Sequence, residues 1–167
     1  MKTGNFWWLA GVVASHKERR VLGRTRLQKT MKLLQRLGLP TDYLFTTFFY
    51  GPYSEGLLRD IQLLSEMGLL HEEECSDAEG SSPYFVVQAT GEAEMPELAG
   101  FAAAIRAMEC ADLIILELAA TYDAFREMGS GHEQAVQRLR HKKAAKWSAD
   151  REERSRFLLR QLGLPAE

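Results

Sequence analysis

Three side chains that could bind a metal ion alternate along one short stretch of the sequence. His71, Glu73 and Cys75 occupy every second position. If this stretch is a β-strand, all three project from the same face, where a nitrogen, an oxygen and a sulfur ligand could hold a transition metal. A solvated acidic edge strand explains the same pattern, because charges on an edge strand discourage pairing with other chains. We favour the edge strand and expect neither a metal nor a cofactor.

The sequence contains no other pattern that indicates catalysis. Its four histidines have no partners at zinc-ligand spacing, and it has neither a glycine-rich phosphate loop nor a nucleophile elbow. Catalytic residues in these classes occur in recognisable local arrangements, which this chain lacks. We therefore expect a binding protein that is not an enzyme.

Two clusters of basic residues could instead neutralise the phosphates of a nucleic acid. One cluster lies in a predicted helix over about residues 25–37, whose buried stripe we expect to be Leu27, Met31, Leu34 and Leu37. Lys29, Lys32 and Arg36 fall on the opposite face of that helix. A solvated helix face is the alternative explanation of each cluster, and we favour it. The candidate nucleic-acid-binding residues are Arg26, Lys29, Lys32, Arg36, Arg138, Lys142, Lys143 and Lys146.

Charge is distributed very unevenly along the 167 residues, although the net charge is only −2. Residues 1–43 contain nine basic and two acidic residues, a net charge of +7, whereas residues 51–100 contain one basic and eleven acidic residues, a net charge of −10. The net value excludes a strongly basic, histone-like binder. The separation favours a partner with complementary charge, because such complementarity steers association.

Residues 45–74 are the segment around which the predicted fold is arranged. β-Branched and aromatic residues at 45–50 predict a strand, which Gly51-Pro52 should end. Ser54 is a good N-cap, and Gly68 is placed to end the helix. We expect one apolar stripe along this helix, formed by Leu57, Leu58, Ile61, Leu64 and Met67.

Further strands and helices are predicted on either side of this segment. Strands over 69–74 and 84–89 should form a hairpin with a long polar tip, which would be the wing of a winged helix. A first helix is expected over about residues 5–17, one long helix over about 97–128 with a kink near Cys110, and another over 132–146. Ser148 should cap the last helix. We predict an α+β, mainly α chain, with a winged helix-turn-helix-like domain over 1–92 and a helical extension over 93–167 that packs on it or mediates dimerisation.

The outward face of the 54–68 helix determines what such a domain could bind. In a winged helix, this helix normally enters the DNA major groove and the wing touches phosphate. Here the face and the wing are acidic and would repel the duplex. We predict instead that they bind a protein. The candidate partner-binding residues are Glu55, Arg59, Gln62, Glu66, Glu72 and Glu74.

Three short stretches of the sequence also resemble a known family. Arg24-Thr25-Arg26-Leu27-Gln28-Lys29, followed by Phe49-Tyr50-Gly51-Pro52-Tyr53-Ser54 and then Gly68-Leu69-Leu70, is similar to the YwgA-like family of small prokaryotic proteins. The chain resembles more distantly the SocA-like (Panacea) antitoxin domains. The resemblance covers roughly residues 5–90 and implies a winged-helix-like fold, no known enzyme activity, and roles in regulation, toxin neutralisation or phage defence.

Taken together, these features predict a non-catalytic regulatory binding protein of the antitoxin or phage-defence type. We expect its partner to be a protein such as a toxin, a nuclease or another defence component. A DNA-binding transcriptional regulator that uses the two basic clusters is the alternative, and a homodimer through the 97–128 helix is also compatible with the sequence. Cys75 and Cys110 lack the C-x-x-C spacing of a redox or zinc pair, and the apolar run over 6–14 is too short to span a bilayer. We expect a cytoplasmic protein with free thiols and no membrane contact.

Overall fold

The N-terminal part of the chain alternates helices with short strands. The computed structural model describes residues 4–48, 51–76, 79–80 and 82–167. Helix α1 covers Asn5–Ala14, a short 3₁₀ turn covers Lys17–Arg19, strand β1 covers Arg20–Leu22, and helix α2 covers Arg24–Arg36. The first helix ends about three residues earlier than predicted. Ser15 is its C-cap, and the hydroxyl of Ser15 donates to the carbonyl oxygen of Gly11 at 2.8 Å.

A small hairpin replaces the single strand that the sequence predicted over 45–50. Its strands are β2, Thr46–Phe48, and β3, Gly51–Tyr53, and Pro52 lies opposite Thr47. The prediction that Gly51-Pro52 only ends a strand is therefore wrong. A proline is tolerated here because a two-stranded ribbon leaves one side of each strand without ladder bonds. Phe49 and Tyr50, the rest of the predicted strand, lie outside the described residues.

Helix α3 covers Glu55–Glu66 and has the ends that the sequence predicted. The hydroxyl of Ser54 accepts a hydrogen bond from the Leu57 backbone N–H at 3.2 Å, and Gly68 has a φ of 72° just beyond the helix. Leu57, Ile61 and Leu64 are fully buried, as the stripe required. Met67 was assigned to the same stripe, and this was wrong: it lies after the last helical turn and is 47% exposed.

A three-stranded antiparallel sheet packs beside these helices. Strands β4, Leu70–Cys75, and β5, Tyr84–Ala89, form the predicted hairpin, and β1 pairs with the other side of β5 to give the order β1-β5-β4. Strand β4 is therefore an edge strand of this sheet. Of the predicted polar tip, Asp77, Ala78 and Ser81 lie outside the described residues.

The C-terminal part contains four α-helices. A 3₁₀ turn, Pro96–Phe101, leads into α4, Ala102–Cys110, and then come α5, Leu113–Glu127, α6, His132–Lys142, and α7, Ala149–Leu162. The long helix predicted over 97–128 is thus two helices. Ala111 is extended and the Asp112 carboxylate accepts from the Ile114 backbone N–H at 2.9 Å, so a new N-cap begins where a kink was expected. The Ser148 cap of α7 is confirmed by its bond from the Arg151 N–H.

Helix α5 lies at the centre of the molecule. It packs against α2, α6, α7 and β3, and every residue from Ile115 to Phe125 is buried. One apolar core includes residues from both predicted domains. The apolar surface of α5 is therefore buried by other elements of the same chain. The division into two domains and the homodimer stay predictions. Among the described residues, no helix has the length and apolar character needed to cross a membrane.

Candidate functional site

Two side chains of α2 hold the backbone that leads into α3. The amide of Gln28 accepts from the Ser54 N–H at 2.9 Å and donates to the Ser54 carbonyl at 2.9 Å. The ammonium of Lys29 donates to the Pro52 carbonyl oxygen at 2.7 Å. Two stretches that are distant in the sequence therefore meet in the interior, Gln28-Lys29 and Gly51-Pro52-Tyr53-Ser54. The hydrogen bonds between them give both stretches a structural role in this fold.

The predicted basic stripe on α2 is not exposed to solvent. Lys29 is 1% and Lys32 is 5% exposed, and the prediction of a solvated face is wrong. Lys32 pairs with Glu127 at 2.6 Å and Arg36 with Asp123 at 2.8 Å. The reason is that α5 packs over this face of α2 and supplies the carboxylates. Arg26 is half-buried, and its guanidinium donates to the Met108 carbonyl oxygen at 2.8 Å.

The C-terminal basic cluster is divided between the interior and the surface. Lys143 is buried and bonds the Glu117 carboxylate at 2.6 Å, and Lys146 bonds the same carboxylate at 2.9 Å. Burial lowers the pKa of Lys143, whereas its hydrogen bond to Glu117 raises it. Arg138 and Lys142 are exposed, and Arg138 stacks over the ring of Phe125 at 4.1 Å. Only these two of the four residues present their charge mainly to solvent.

Lys29 belongs to the same buried charge cluster as Glu117. Burial lowers the pKa of Lys29 to about 8, the Glu117 carboxylate opposes that shift, and Lys143 and Lys146 add to it. Three ammonium groups therefore surround one buried carboxylate. Because charge in the interior is costly unless it is paired, this cluster contributes to the fold and is a poor surface for a nucleic acid.

The outward face of α3 carries the four predicted polar and charged residues, and all four are exposed. Glu55, Arg59, Gln62 and Glu66 point away from the core. Two large apolar side chains lie among them: Leu63 is 42% and Met67 is 47% exposed. We call these six residues the α3 face. The exposure of this apolar pair was not predicted from the sequence, although Leu63 lies about 100° around the helix from Leu64 and thus away from the centre of the buried stripe.

An acidic groove adjoins the N-terminal end of the α3 face. Its volume is about 540 Å³, and Glu55 and Arg59 belong to its lining. Asp42 and Asp60 add two carboxylates, and Leu44 lies on the rim with 86% of its surface exposed. The hydroxyl of Tyr43 donates to the Asp60 carboxylate at 2.6 Å. The pKa of Tyr43 is raised, mainly because the side chain is buried and also because of this hydrogen bond. The groove therefore joins negative charge to exposed apolar surface.

The acidic residues of β4 differ from one another. Glu72, a candidate partner-binding residue, forms a bidentate pair with Arg24 at 2.7 and 3.0 Å, so its charge is already neutralised within the chain. Glu73 and Glu74 are exposed on the edge strand, as is His71. In the described part of the chain, no three potential ligands come together in a way that could hold a metal ion.

Comparison with known proteins gives one partial match. The chain is similar to an uncharacterized protein, YwgA, of Bacillus subtilis (strain 168), with 38% identity over 52 residues. The matched stretch is 31% of this chain and 31% of that protein, so the chain spans about a third of the length of this relative. No protein-family model matches the chain. These comparisons establish a YwgA-like relationship over the matched stretch.

Proposed function

We propose that residues 1–92 form a winged helix in which α3 is the exposed recognition helix and β4–β5 is the wing. The order of elements supports this proposal: α1, β1, α2, α3, β4 and β5 follow one another, and the sheet order is β1-β5-β4. The β2–β3 hairpin is inserted between α2 and α3. In this arrangement α3 and the edge strand β4 are available to a partner.

On this fold, the proposed function is that of a non-catalytic regulatory binding protein, an adaptor of the antitoxin or phage-defence type that acts through a protein partner. The observation that carries the proposal is the composition of the α3 face, where Leu63 and Met67 are exposed beside Glu55 and Glu66. Protein interfaces combine a desolvated apolar centre with a polar rim. Duplex DNA offers neither an apolar surface of this kind nor a positive charge.

The chemistry of the surface specifies the partner further. The acidic groove contains three carboxylates, Asp42, Glu55 and Asp60, and one basic residue, Arg59. Leu44 on its rim and Leu63 on the α3 face are exposed and can make apolar contacts. The complementary surface presents lysines or arginines around one or more apolar side chains. Surfaces that bind nucleic acids are basic, so a nuclease or a toxin that acts on nucleic acid fits this description.

A charge-reversal experiment tests this proposal. The tagged chain is expressed in the organism that encodes it, and the captured partner is quantified for the wild type and for Glu55→Lys with Glu66→Lys. We expect the double variant to release the partner, because it reverses the charge at both ends of the α3 face. Glu97→Lys with Glu133→Lys makes the same change of charge at exposed positions outside α3 and should retain the partner. Equal capture by both pairs would contradict the proposal.

DNA binding is the second candidate, and the exposed basic residues of α6 favour it. Arg138 and Lys142 both face solvent on one helix. Fluorescence anisotropy with a labelled duplex at low salt tests it. Tight binding that weakens with salt and is abolished by the double substitution Arg138→Glu, Lys142→Glu would support a DNA-binding regulator. The same result would count against the protein-partner proposal. Lys29 and Lys32 are unsuitable for this test, because charge reversal in the interior would unfold the chain.

A further inference from the structure

A large groove lies at the N-terminal end of α2, next to the turn that follows α1. The groove is formed by the end of α1, the Lys17–Arg19 3₁₀ turn, β1, the start of α2 and the end of α4. Its volume is about 930 Å³. This volume is within the range of small-molecule sites. We call it the His16 groove after the most buried polar residue of its lining.

His16 carries a buried nitrogen that lacks a partner. The residue is 4% exposed, and its Nδ1 lies 2.7 Å from the carbonyl oxygen of Val12. A carbonyl can only accept, so Nδ1 carries the proton and donates it. Nε2 is buried and has no hydrogen-bond partner among the described residues. Because buried polar atoms are normally satisfied, this nitrogen requires a partner outside the described residues, either a water molecule or a bound ligand.

Positive charge predominates around the groove. Its lining contains four basic residues and two acidic ones: Lys17, Arg20, Arg26, Arg106, Glu18 and Glu109. Both carboxylates already have partners. Glu18 pairs with Arg20 at 2.7 Å. Glu109 accepts from the Lys17 backbone N–H at 2.6 Å and forms a longer ion pair with Arg106 at 3.9 Å. Arg26 is half-buried, and it forms no ion pair within the part of the chain that the structure describes.

The turn that forms one wall has an unusual backbone. Glu18 and Arg19 both have a φ of 55°, in the left-handed region that residues other than glycine rarely adopt. The Arg19 guanidinium anchors this turn by donating to the Gly91 carbonyl oxygen at 2.7 Å. Strained backbone persists where its surroundings enforce it, and it is often found at ligand sites.

From these observations we infer that the His16 groove binds a small anion bearing a phosphate or carboxylate group, a function separate from the proposed protein partner. The oxyanion lies against Arg26 and Arg106, where guanidinium groups can donate paired hydrogen bonds. His16 takes a proton from solvent, so that Nε2–H donates to an oxygen of the anion while Nδ1–H keeps its bond to Val12. The resulting imidazolium is stabilised by the anion.

The charges that surround His16 are consistent with this coupling. Burial lowers the pKa of His16, its bond to Val12 and the nearby Glu109 raise it, and Arg26 lowers it again. Arg106, Lys17 and Cys110 are the other titratable or charged groups along this wall. A bound anion adds negative charge beside the ring and thus raises the pKa of His16. Binding should therefore be accompanied by proton uptake at His16.

The experiment uses inorganic phosphate and pyrophosphate as probes, with sodium chloride keeping the ionic strength constant. The ring signals of His16 are followed by NMR across a pH titration and are assigned by their loss in His16→Gln. We expect a saturable shift and a rise of about one unit in the pKa of His16 at saturation. Arg26→Gln should weaken binding about tenfold or more, whereas Arg154→Gln, an exposed arginine of α7, should not change it.

Arg26 also bonds the Met108 carbonyl, so a thermal melt of Arg26→Gln accompanies the titration. If that variant does not fold, Arg106→Gln replaces it, because the Arg106 side chain is 77% exposed and its loss should leave the fold intact. Weaker binding in the variant that folds supports the inference. A wild-type protein whose His16 signals do not move with either probe at millimolar concentration, or a shift that is equal in the groove variants, would overturn it.

Discussion

The ammonium nitrogen of Lys29 lies 2.7 Å from the carbonyl oxygen of Pro52, in the interior between α2 and β3. Lys29, which the sequence predicted to be a phosphate-binding residue, thus holds the hairpin that leads into α3. Gln28 secures the next part of the same backbone through Ser54. The α3 face is therefore positioned by buried polar bonds, and their loss should be measurable as a loss of stability.

The buried ammonium of Lys29 should make stability depend on pH. Its pKa is lowered from 10.5 to about 8 in the folded chain, so between these values the unfolded chain binds more protons. Stability should then rise with pH, and this group should contribute about 2 kcal/mol between about pH 7 and about pH 10. Urea unfolding of the wild type and of Lys29→Met over this interval measures the contribution as the difference between the two slopes. In Lys142→Met, which changes an exposed lysine, the rise should persist.

Loss of the Ser54 cap should destabilise α3. Ser54→Ala removes the acceptor for the Leu57 N–H and should lower the free energy of unfolding by about 1 kcal/mol. Ser65→Ala is the matched control, because the hydroxyl of Ser65 bonds the Ile61 carbonyl within the same helix and its removal should cost little. Chemical denaturation of both variants makes the comparison. An equal effect at the two positions would contradict a capping role for Ser54.

Removing the carboxylate of Glu117 should be much more costly. Glu117→Gln leaves the buried Lys29 and Lys143, and the partly exposed Lys146, without their common anion. We expect a loss of about 4 kcal/mol. Glu127→Gln also removes a carboxylate of α5, but that side chain is 45% exposed, so about 1 kcal/mol is expected. Thermal and urea unfolding measure both changes. If the ion pair between Glu117 and Lys143 accounts for most of this loss, adding Lys143→Met to the Glu117→Gln variant should recover part of the stability.

Gly51 should be intolerant of a side chain. Its φ is 83°, and a Cβ atom would lie 2.5 Å from the Thr121 hydroxyl oxygen, so Gly51→Ala should cost about 3 kcal/mol. Gly38→Ala separates the two causes, because Gly38 has a φ of 101° but open space around it and should lose only about 1 kcal/mol. The difference should shrink when Gly51→Ala is measured in a Thr121→Ala background. No recovery there would show that the close contact is not the cause.

Local sequence signals were sufficient to predict the elements that such signals govern. The Ser54 and Ser148 caps, the glycine after α3 and the β4–β5 hairpin each depend on residues a few positions apart. The charged part of the α3 face could likewise be predicted, because helical periodicity places those residues opposite the buried stripe.

Features that depend on distant residues could not be predicted in this way. Whether Lys29 and Lys32 face solvent is decided by α5, which lies about ninety residues later and covers them. One signal was available: Glu117 and Asp123 are carboxylates in the middle of a helix that is otherwise mostly apolar, and buried carboxylates require cationic partners. The acidic groove also escaped prediction, because Asp42 and Leu44 meet α3 only through the tertiary fold.

The central claim, that the α3 face binds a protein partner, is tested most directly through its apolar pair. The partner captured by the tagged wild-type chain is quantified against Leu63→Asp with Met67→Asp, and against Leu113→Asp with Met128→Asp. The latter two are exposed apolar residues at the ends of α5, so the pairs are matched in exposure and in charge change. We predict that the α3 pair loses the partner while the α5 pair keeps it, with both variants melting like the wild type. Retention of the partner by the Leu63→Asp, Met67→Asp variant would contradict the account.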